Sequence, residues 1–378
     1  MAPIGVHWFT IRRSLILTRR GLILGATLSA PACRREPGQP TSFLSALDRP
    51  RRDFHIPALA AIALRADRIL KIDAVGVLRE GRPQQVSQSS HFHLGSLAKA
   101  ITATMLATLV EQGKLSWRSC PLDVFPEWKG SILPAYSNIS LDDLFRHRAG
   151  LAPFQPVGAN EFRGFPGSRP RADCAHWVLQ TPPVNQPGTT ALYSNAGPCI
   201  AAVMAERVTG QSWEELLHQR VFAPLAIRAG FGWPAANDPG QPWGHRSSWF
   251  GPRPVDPRTA YPLPDFFRPA GDVRMNLADY GRFLKVHVSG LQGRNSLLRG
   301  DTVRHLHTAV DGCGLGWGVG AVNGVMCSDH IGGAGSFLAV VTIWPTKDLA
   351  VAVAANLDGD PAKQAGRSAS RAIYRLLA

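Results

Sequence analysis

Residues 91–115 read HFHLGSLAKAITATMLATLVEQGKL, and this stretch decides how the chain is organised. The spacing predicts a helix that begins near Gly95-Ser96, runs to about Gln112 and stops at Gly113. It is apolar nearly all round, so it belongs in a core and not on a surface. Ser96 and Lys99 stand three residues apart, on one face and within hydrogen-bonding reach. A serine in the first turn lies in the positive end of the helix macrodipole, which favours a developing oxyanion. An amine set among Ala98, Ala100 and Ile101 can serve that serine as a base. An N-cap serine with a snorkelling lysine would leave the same pair of letters. A helix without a wet face gives such a lysine nowhere to go.

Moving a proton to and from Ser96 calls for a further polar group, and Tyr-Ser-Asn occurs twice. Tyr136-Ser137-Asn138 follows Pro134 and precedes Ser140-x-x-Asp143, so it reads as a turn with a local helix cap. Tyr193-Ser194-Asn195 lies between Pro187-Gly188 and a helix ending at Val208-Thr209-Gly210, on a loop free to face a site. Tyr193 beside Lys99 can act as general base and acid, and Asn195 can donate an amide N–H to a substrate. A third element, His330-Ile331-Gly332-Gly333-Ala334-Gly335, opens the strand FLAVVTIW. Its glycines let a substrate backbone lie against a strand edge, with a backbone N–H as oxyanion donor.

Around these elements the chain divides by pattern. Short apolar runs from Ile56 to Leu78 predict two strands. Leu141–Phe145, Asn195–Val208, Ser212–Gln219 and Leu277–Val288 read as helices among Pro/Gly-rich loops. From Gly314 onward GLGWGVGAV, FLAVVTIW and LAVAVAAN read as strands, and Pro361 to Leu377 as a closing helix. Strands at both ends with helices between imply a sheet built from the termini and an inserted helical part. The sheet is expected over about 54–95 and 310–378, the helical part over about 96–300, as one catalytic domain spanning 54–375.

Residues 1–33 read as an export signal, with Arg19-Arg20 opening an apolar run to Leu28. Ala30-Pro31-Ala32 precedes Cys33, which makes Cys33 a candidate for lipid attachment, although Ala30 stands where a larger aliphatic residue is usual. A periplasmic or otherwise exported, lipid-anchored protein is the expectation. Residues 34–53, rich in Pro, Arg and Asp, read as a linker. Of the six cysteines, Cys313 and Cys327 flank a hairpin and are the expected disulfide. No C-x-x-C occurs, and the pairs His91/His93 and His305/His307 lack a carboxylate or cysteine at ligand spacing, so no metal is expected. The net charge of +14 comes from scattered arginines without interleaved aromatics, which argues against nucleic acid and for an anionic membrane or cell-wall surface.

Taken in order, the three elements resemble the serine β-lactamase and penicillin-binding-protein-like hydrolases, in particular their class C branch. The likeness extends over about residues 45–375 and includes LDDLFRHRAGL, PGTTALYSNAG, FRPAGDVRMNLADYGRFL and CGLGWGV. It implies an α/β (α+β) fold of the β-lactamase/DD-peptidase type, an antiparallel sheet flanked by terminal helices. It implies Ser96 as nucleophile, Lys99 and Tyr193 as proton carriers, and Asn195, His330, Gly332 and Gly333 as substrate-binding residues. The N–H groups of Ser96 and Gly333 would form the oxyanion hole, with no cofactor and with a small-molecule or peptide substrate. His330 stands where dedicated β-lactamases commonly carry lysine, which moves the expectation toward a peptidase or esterase. A protein that acylates without turnover, and a true class C-type β-lactamase, are the alternatives.

Overall fold

The computed structural model describes residues 40–154, 165–166, 169–258, 263–322 and 324–378. Arg19, Arg20 and Cys33 lie outside the described residues. Strands β1 (Ala58–Leu64), β2 (Ile69–Gly76), β3 (Gly318–Val322), β4 (Val325–Gly333), β5 (Leu338–Trp344) and β6 (Leu349–Ala355) form one antiparallel sheet. Their order is β2-β1-β6-β5-β4-β3, so the two ends of the chain meet at β1 and β6. Ala60 faces Ala354 and Ile62 faces Ala352 across that junction. Both strands, ALAAIAL and LAVAVAA, are buried at every position, as continuous apolar runs must be when both faces of a sheet are covered.

One face is covered by the terminal helices α1 (Phe43–Asp53) and α9 (Asp360–Leu377), whose Leu47, Ala365, Ala369 and Ile373 pack on Leu59, Val351 and Val353. Residues 43–53 were expected to be linker, and the structure corrects this. Phe43, Ala46, Leu47 and Pro50 recur at i, i+3, i+4 and i+7, and Ser42 and Ser45 form a capping box. Asp48 pairs with Arg51 at 2.7 Å and with Arg52 at 2.6 Å. The charges that suggested a solvated linker are the outer face of a helix.

The other face carries the helical part, centred on α2 (Ala98–Glu111), where eleven of fourteen residues are buried. The helices α5 (Ala196–Thr209) and α6 (Trp213–Leu217) pack on it, with α3 (Leu141–Phe145) and α4 (Arg171–Leu179) against α5, while α7 (Leu277–Leu291) packs on the sheet and α8 (Gly300–Leu306) on α7 and α2. The expected disulfide is absent, since Cys313 and Cys327 are both free and buried. Strand pairing explains this: Cys327 lies opposite Gly320, whereas Cys313 bridges Gly318 and its carbonyl is held by Arg146 at 2.8 Å. Burial pushes the Cys327 thiol up to about 12. Among the described residues no helix is long and apolar enough to cross a membrane, and no cluster of His, Cys, Asp and Glu is placed to hold a metal.

Candidate active site

A single helical turn, Gly95–Leu97, leads into α2 and carries Ser96 at the boundary between core and solvent. Lys99, one turn on, is fully buried, and its ammonium group donates to Ser96 Oγ at 2.9 Å, Asn195 Oδ1 at 2.8 Å and the Ala270 carbonyl at 2.8 Å. Three acceptors match the three N–H bonds of the side chain, so Nζ is fixed in direction as well as position. Tyr193 Oη donates to Ser96 Oγ at 2.8 Å. Ser96 Oγ therefore lies between an amine and a phenol, each in contact with it.

The loop that presents Tyr193 has no regular structure, yet its backbone is tied down on both sides. Leu192 N–H donates to the His147 carbonyl, and Asn195 N–H to the Pro153 carbonyl. Ser194 N–H donates to His147 Nδ1 at 3.2 Å, while its hydroxyl caps the Ala152 carbonyl at 2.6 Å. Asn195 was expected to offer its amide to substrate. Its Oδ1 is taken by Lys99 and one Nδ2 hydrogen by the Phe154 carbonyl at 3.0 Å, which makes it first a brace for Lys99. Tyr136, of the other Tyr-Ser-Asn triplet, is buried away from this cluster with its hydroxyl on the Thr181 carbonyl at 3.0 Å. Burial pushes that phenol up to about 12.

The end of β4 lies directly against the serine turn. A Cβ on Gly332 would stand 2.1 Å from the Leu94 oxygen and 2.7 Å from Ser96 N, so only glycine allows the approach. Gly95 has φ of +53°, and a Cβ there would stand 2.6 Å from the Gly333 oxygen. Ala334 N–H donates to the Phe337 carbonyl, and Gly333 faces Leu338. The alternation of an antiparallel ladder then turns the Gly333 N–H away from β5, toward the serine turn. Strand β3 does not cover it, because the β3 pairing ends with Gly318 opposite Asp329.

His330 also faces this region, but not as a cation. It is 7% exposed, and its Nδ1 bonds the Gly316 carbonyl at 2.6 Å. Burial, then the charge of Lys99, pull it down to about 4 against the opposing effect of that hydrogen bond. The ring is neutral at pH 7, with the proton on Nδ1.

Over residues 44–375 the chain matches the family model described as beta-lactamase. It belongs to the beta-lactamase family. Penicillin-binding protein 4 of Amycolatopsis lactamdurans is 27% identical over 329 residues, covering 82% of this chain and 83% of that protein. The octameric penicillin-binding protein homologue from Pyrococcus abyssi superposes with a TM-score of 0.73 at 20% identity, over 88% of this chain and 76% of that one. The D-alanine carboxypeptidase AmpC from Burkholderia cenocepacia gives 0.70 at 19% identity, over 88% and 98%. These two likenesses establish the fold, as expected from the sequence.

Two parts of this beta-lactamase family site were not read from the sequence. His147, inside LDDLFRHRAGL, packs its ring 4.5 Å from that of Tyr193 and has φ of +60°. Burial, then the charge of Lys99, pulls it down to about 3. Its place before Arg148-Ala149-Gly150 was visible as a segment, but nothing in the letters assigned it a partner. The second part runs from Arg268 through Asp272 to His93. Arg268 Nε lies 2.8 Å from Asp272, whose other oxygen receives the His93 Nε2 hydrogen at 3.1 Å. His93 Nδ1 in turn accepts the Gly95 N–H at 3.2 Å, so the serine turn hangs from the buried carboxylate that Arg268 neutralises. Burial raises Asp272, but His93 and Arg268 outweigh it and hold the carboxyl at about 2. Arg171 anchors the same segment from behind, with Glu206 at 2.7 Å, Glu214 at 2.6 Å and Asp265 at 2.9 Å.

Proposed function

We propose that this protein is an exported serine hydrolase that forms an acyl-enzyme at Ser96 and transfers the acyl group to water. The observation that carries the reading is the position of Ser96 Oγ, 2.9 Å from Lys99 Nζ and 2.8 Å from Tyr193 Oη. Ser96 Oγ attacks the carbonyl carbon of an ester or amide while its proton passes to Tyr193, which enters the step as a phenolate paired with the Lys99 ammonium. The oxyanion forms between the N–H groups of Ser96 and Gly333, a reading supported by the Gly333 N–H being turned away from β5. The bond to the leaving group breaks as that group takes the proton back, leaving a serine ester. Water, deprotonated by the same pair, releases the acid product and restores Ser96. No step calls for a metal or an organic cofactor. Similarity to a penicillin-binding protein over most of both chains supports a peptide-like or small-molecule substrate. The neutral His330 favours a peptidase or esterase over an efficient β-lactamase. Arg19-Arg20 and Cys33 support export with lipid attachment.

A fluorophosphonate tests this through intact mass. One adduct is expected on the wild-type chain and none on Ser96→Ala; labelling undiminished in the variant would refute the nucleophile. Release of p-nitrophenol beyond one equivalent separates a hydrolase from a protein that only acylates.

The Arg268–Asp272–His93 chain gives a further expectation. Asp272→Asn preserves the bond from the Gly232 N–H but removes the charge that orients His93. Hydrolysis of a p-nitrophenyl ester should fall about tenfold to a hundredfold in kcat with KM little changed, the scale set by misplacing a reacting group. An unaltered kcat would show that the serine turn holds its geometry without the Asp272 charge.

A further inference from the structure

We propose that the hairpin at residues 245–254 docks this protein on a bilayer carrying anionic phospholipid, with Trp249 and Phe250 entering the interface and Arg246 and Arg253 meeting phosphate. The inference goes beyond the chemistry at Ser96 and does not depend on it.

His245–Arg246 pairs with Arg253–Pro254 in a short antiparallel ladder. Its turn is closed by Ser248 and Gly251, which exchange backbone hydrogen bonds at 3.2 and 3.1 Å. Asn, Asp and Gly are the residues such a turn favours. Here the two central positions are Trp249 and Phe250, 101% and 89% exposed. Among the described residues no other aromatic side chain is exposed, and the next large apolar side chains, Val184 and Met326, stand at 53%. The hairpin is nevertheless firmly built. At its root the buried His245 donates from Nδ1 to the Asn356 carbonyl at 2.7 Å and accepts the Glu80 N–H on Nε2 at 3.0 Å. At its tip the Ser248 hydroxyl donates to the Gly251 carbonyl at 2.7 Å and accepts the Phe250 N–H at 3.2 Å. Two apolar rings held on a protruding turn have no cleft of their own to fill. They leave water only by entering another apolar phase.

The charge beside the tip identifies that phase. Arg246 stands directly opposite Arg253, so both side chains leave the same face of the ladder, where like charges repel. Asp256, the only acid between Gln241 and Arg258, is held by Arg258 at 2.7 Å. Asp358 feels the charge of Arg246, but its two oxygens accept the N–H groups of Gly335 and Gly359. Arg246 Nε donates to the Gly335 carbonyl at 3.2 Å, and the Arg253 guanidinium lies 5.8 Å from the Phe250 ring. Both arginines are exposed, and an anion shared between them would relieve their repulsion. A free anion would satisfy the arginines and leave the rings in water. A phospholipid surface takes both, since aromatic rings settle at headgroup depth and guanidinium groups bind phosphate. The net charge of +14 attracts the whole chain to such a surface.

The full chain is pelleted with sucrose-loaded vesicles of phosphatidylcholine, with and without phosphatidylglycerol. Partition should favour the anionic vesicles. Replacing both rings, Trp249→Ser with Phe250→Ser, should weaken it by about tenfold or more. Arg253→Gln, chosen because Arg246 also holds Gly335, should weaken it by about fivefold on the anionic vesicles only. Thermal melts and fluorophosphonate labelling that match the wild type establish that these surface variants fold. Lipids brominated in their acyl chains give a reading specific to the tip. They should quench a part of the wild-type tryptophan fluorescence that Trp249→Phe lacks, because any other segment that meets the vesicle contributes to both. Equal partition of the double variant, with equal fractional quenching of Trp249→Phe, would overturn the proposal. So would pelleting with isolated peptidoglycan but not with vesicles, or a dimer in solution that the double variant abolishes, either of which gives the tip to a different partner.

Discussion

Lys99→Met is expected to slow acylation of Ser96 by about a thousandfold or more, the upper part of the range for losing a positioned acid–base group. Methionine matches the length of the lysine stem and is at home in the apolar surroundings of α2. It removes the contact to Ser96 Oγ at 2.9 Å and leaves the Asn195 and Ala270 oxygens without their donor. Those two acceptors become unsatisfied in a buried site, at about 1–3 kcal/mol each. Removing a fully buried charge works in the opposite direction, because its desolvation is no longer required. Stability therefore changes much less than reactivity. Second-order rate constants for fluorophosphonate labelling, read beside thermal melts, separate the two. Labelling within tenfold of wild type would mean that Tyr193 alone activates Ser96. Lys99→Arg is no milder a test, since a planar guanidinium cannot meet three acceptors arranged around one nitrogen.

The parts of this site legible in the sequence are those set by local spacing. Ser96 and Lys99 share a helix face because three residues make nearly one turn, and the buried helix followed from LAKAITATMLATLVEQ alone. The choice of Tyr193 over Tyr136 also rested on neighbours, a loop on one hand and a cap on the other. What was not legible depends on contacts between distant segments. His93 meets Asp272 across 179 positions, and Lys99 finds Ala270 across 171. The role of Asn195 as a brace depends on where Phe154 places its carbonyl. The α1 misreading has a different cause. Arg, Asp and Pro dominate FLSALDRPRRD by count, and the apolar stripe that decides its structure is carried by only four side chains. The missing disulfide is a matter of register, which letters flanking a turn do not specify.

Acidification below about pH 6.5 should destabilise this protein strongly through its buried histidines. Burial pulls His147 and His287 down to about 3 and His245 and His330 to about 4, and it holds His307 well below its ordinary value. In the unfolded chain each returns to about 6.5. Between about 6.5 and 4 the unfolded state therefore binds protons that the folded state refuses, so stability falls as pH falls through that window. At pH 5 each fully buried neutral histidine accounts for about 2 kcal/mol of lost stability. Several acting together approach the whole stability of a typical domain, about 5–15 kcal/mol. The melting temperature is expected to drop by about 10–20 °C between pH 7.5 and 5. A flat profile over that range would mean that these rings take up protons in the folded state as readily as in the unfolded one. Carboxylates held low, such as Asp272 at about 2, would contribute only below about pH 4. Two of the five histidines, His147 and His330, are also pushed down by the charge of Lys99. The Lys99→Met variant should therefore lose less stability on acidification than the wild type, although it loses nearly all of its acylation rate. That opposite response separates the electrostatic effect of the lysine from its contact with Ser96.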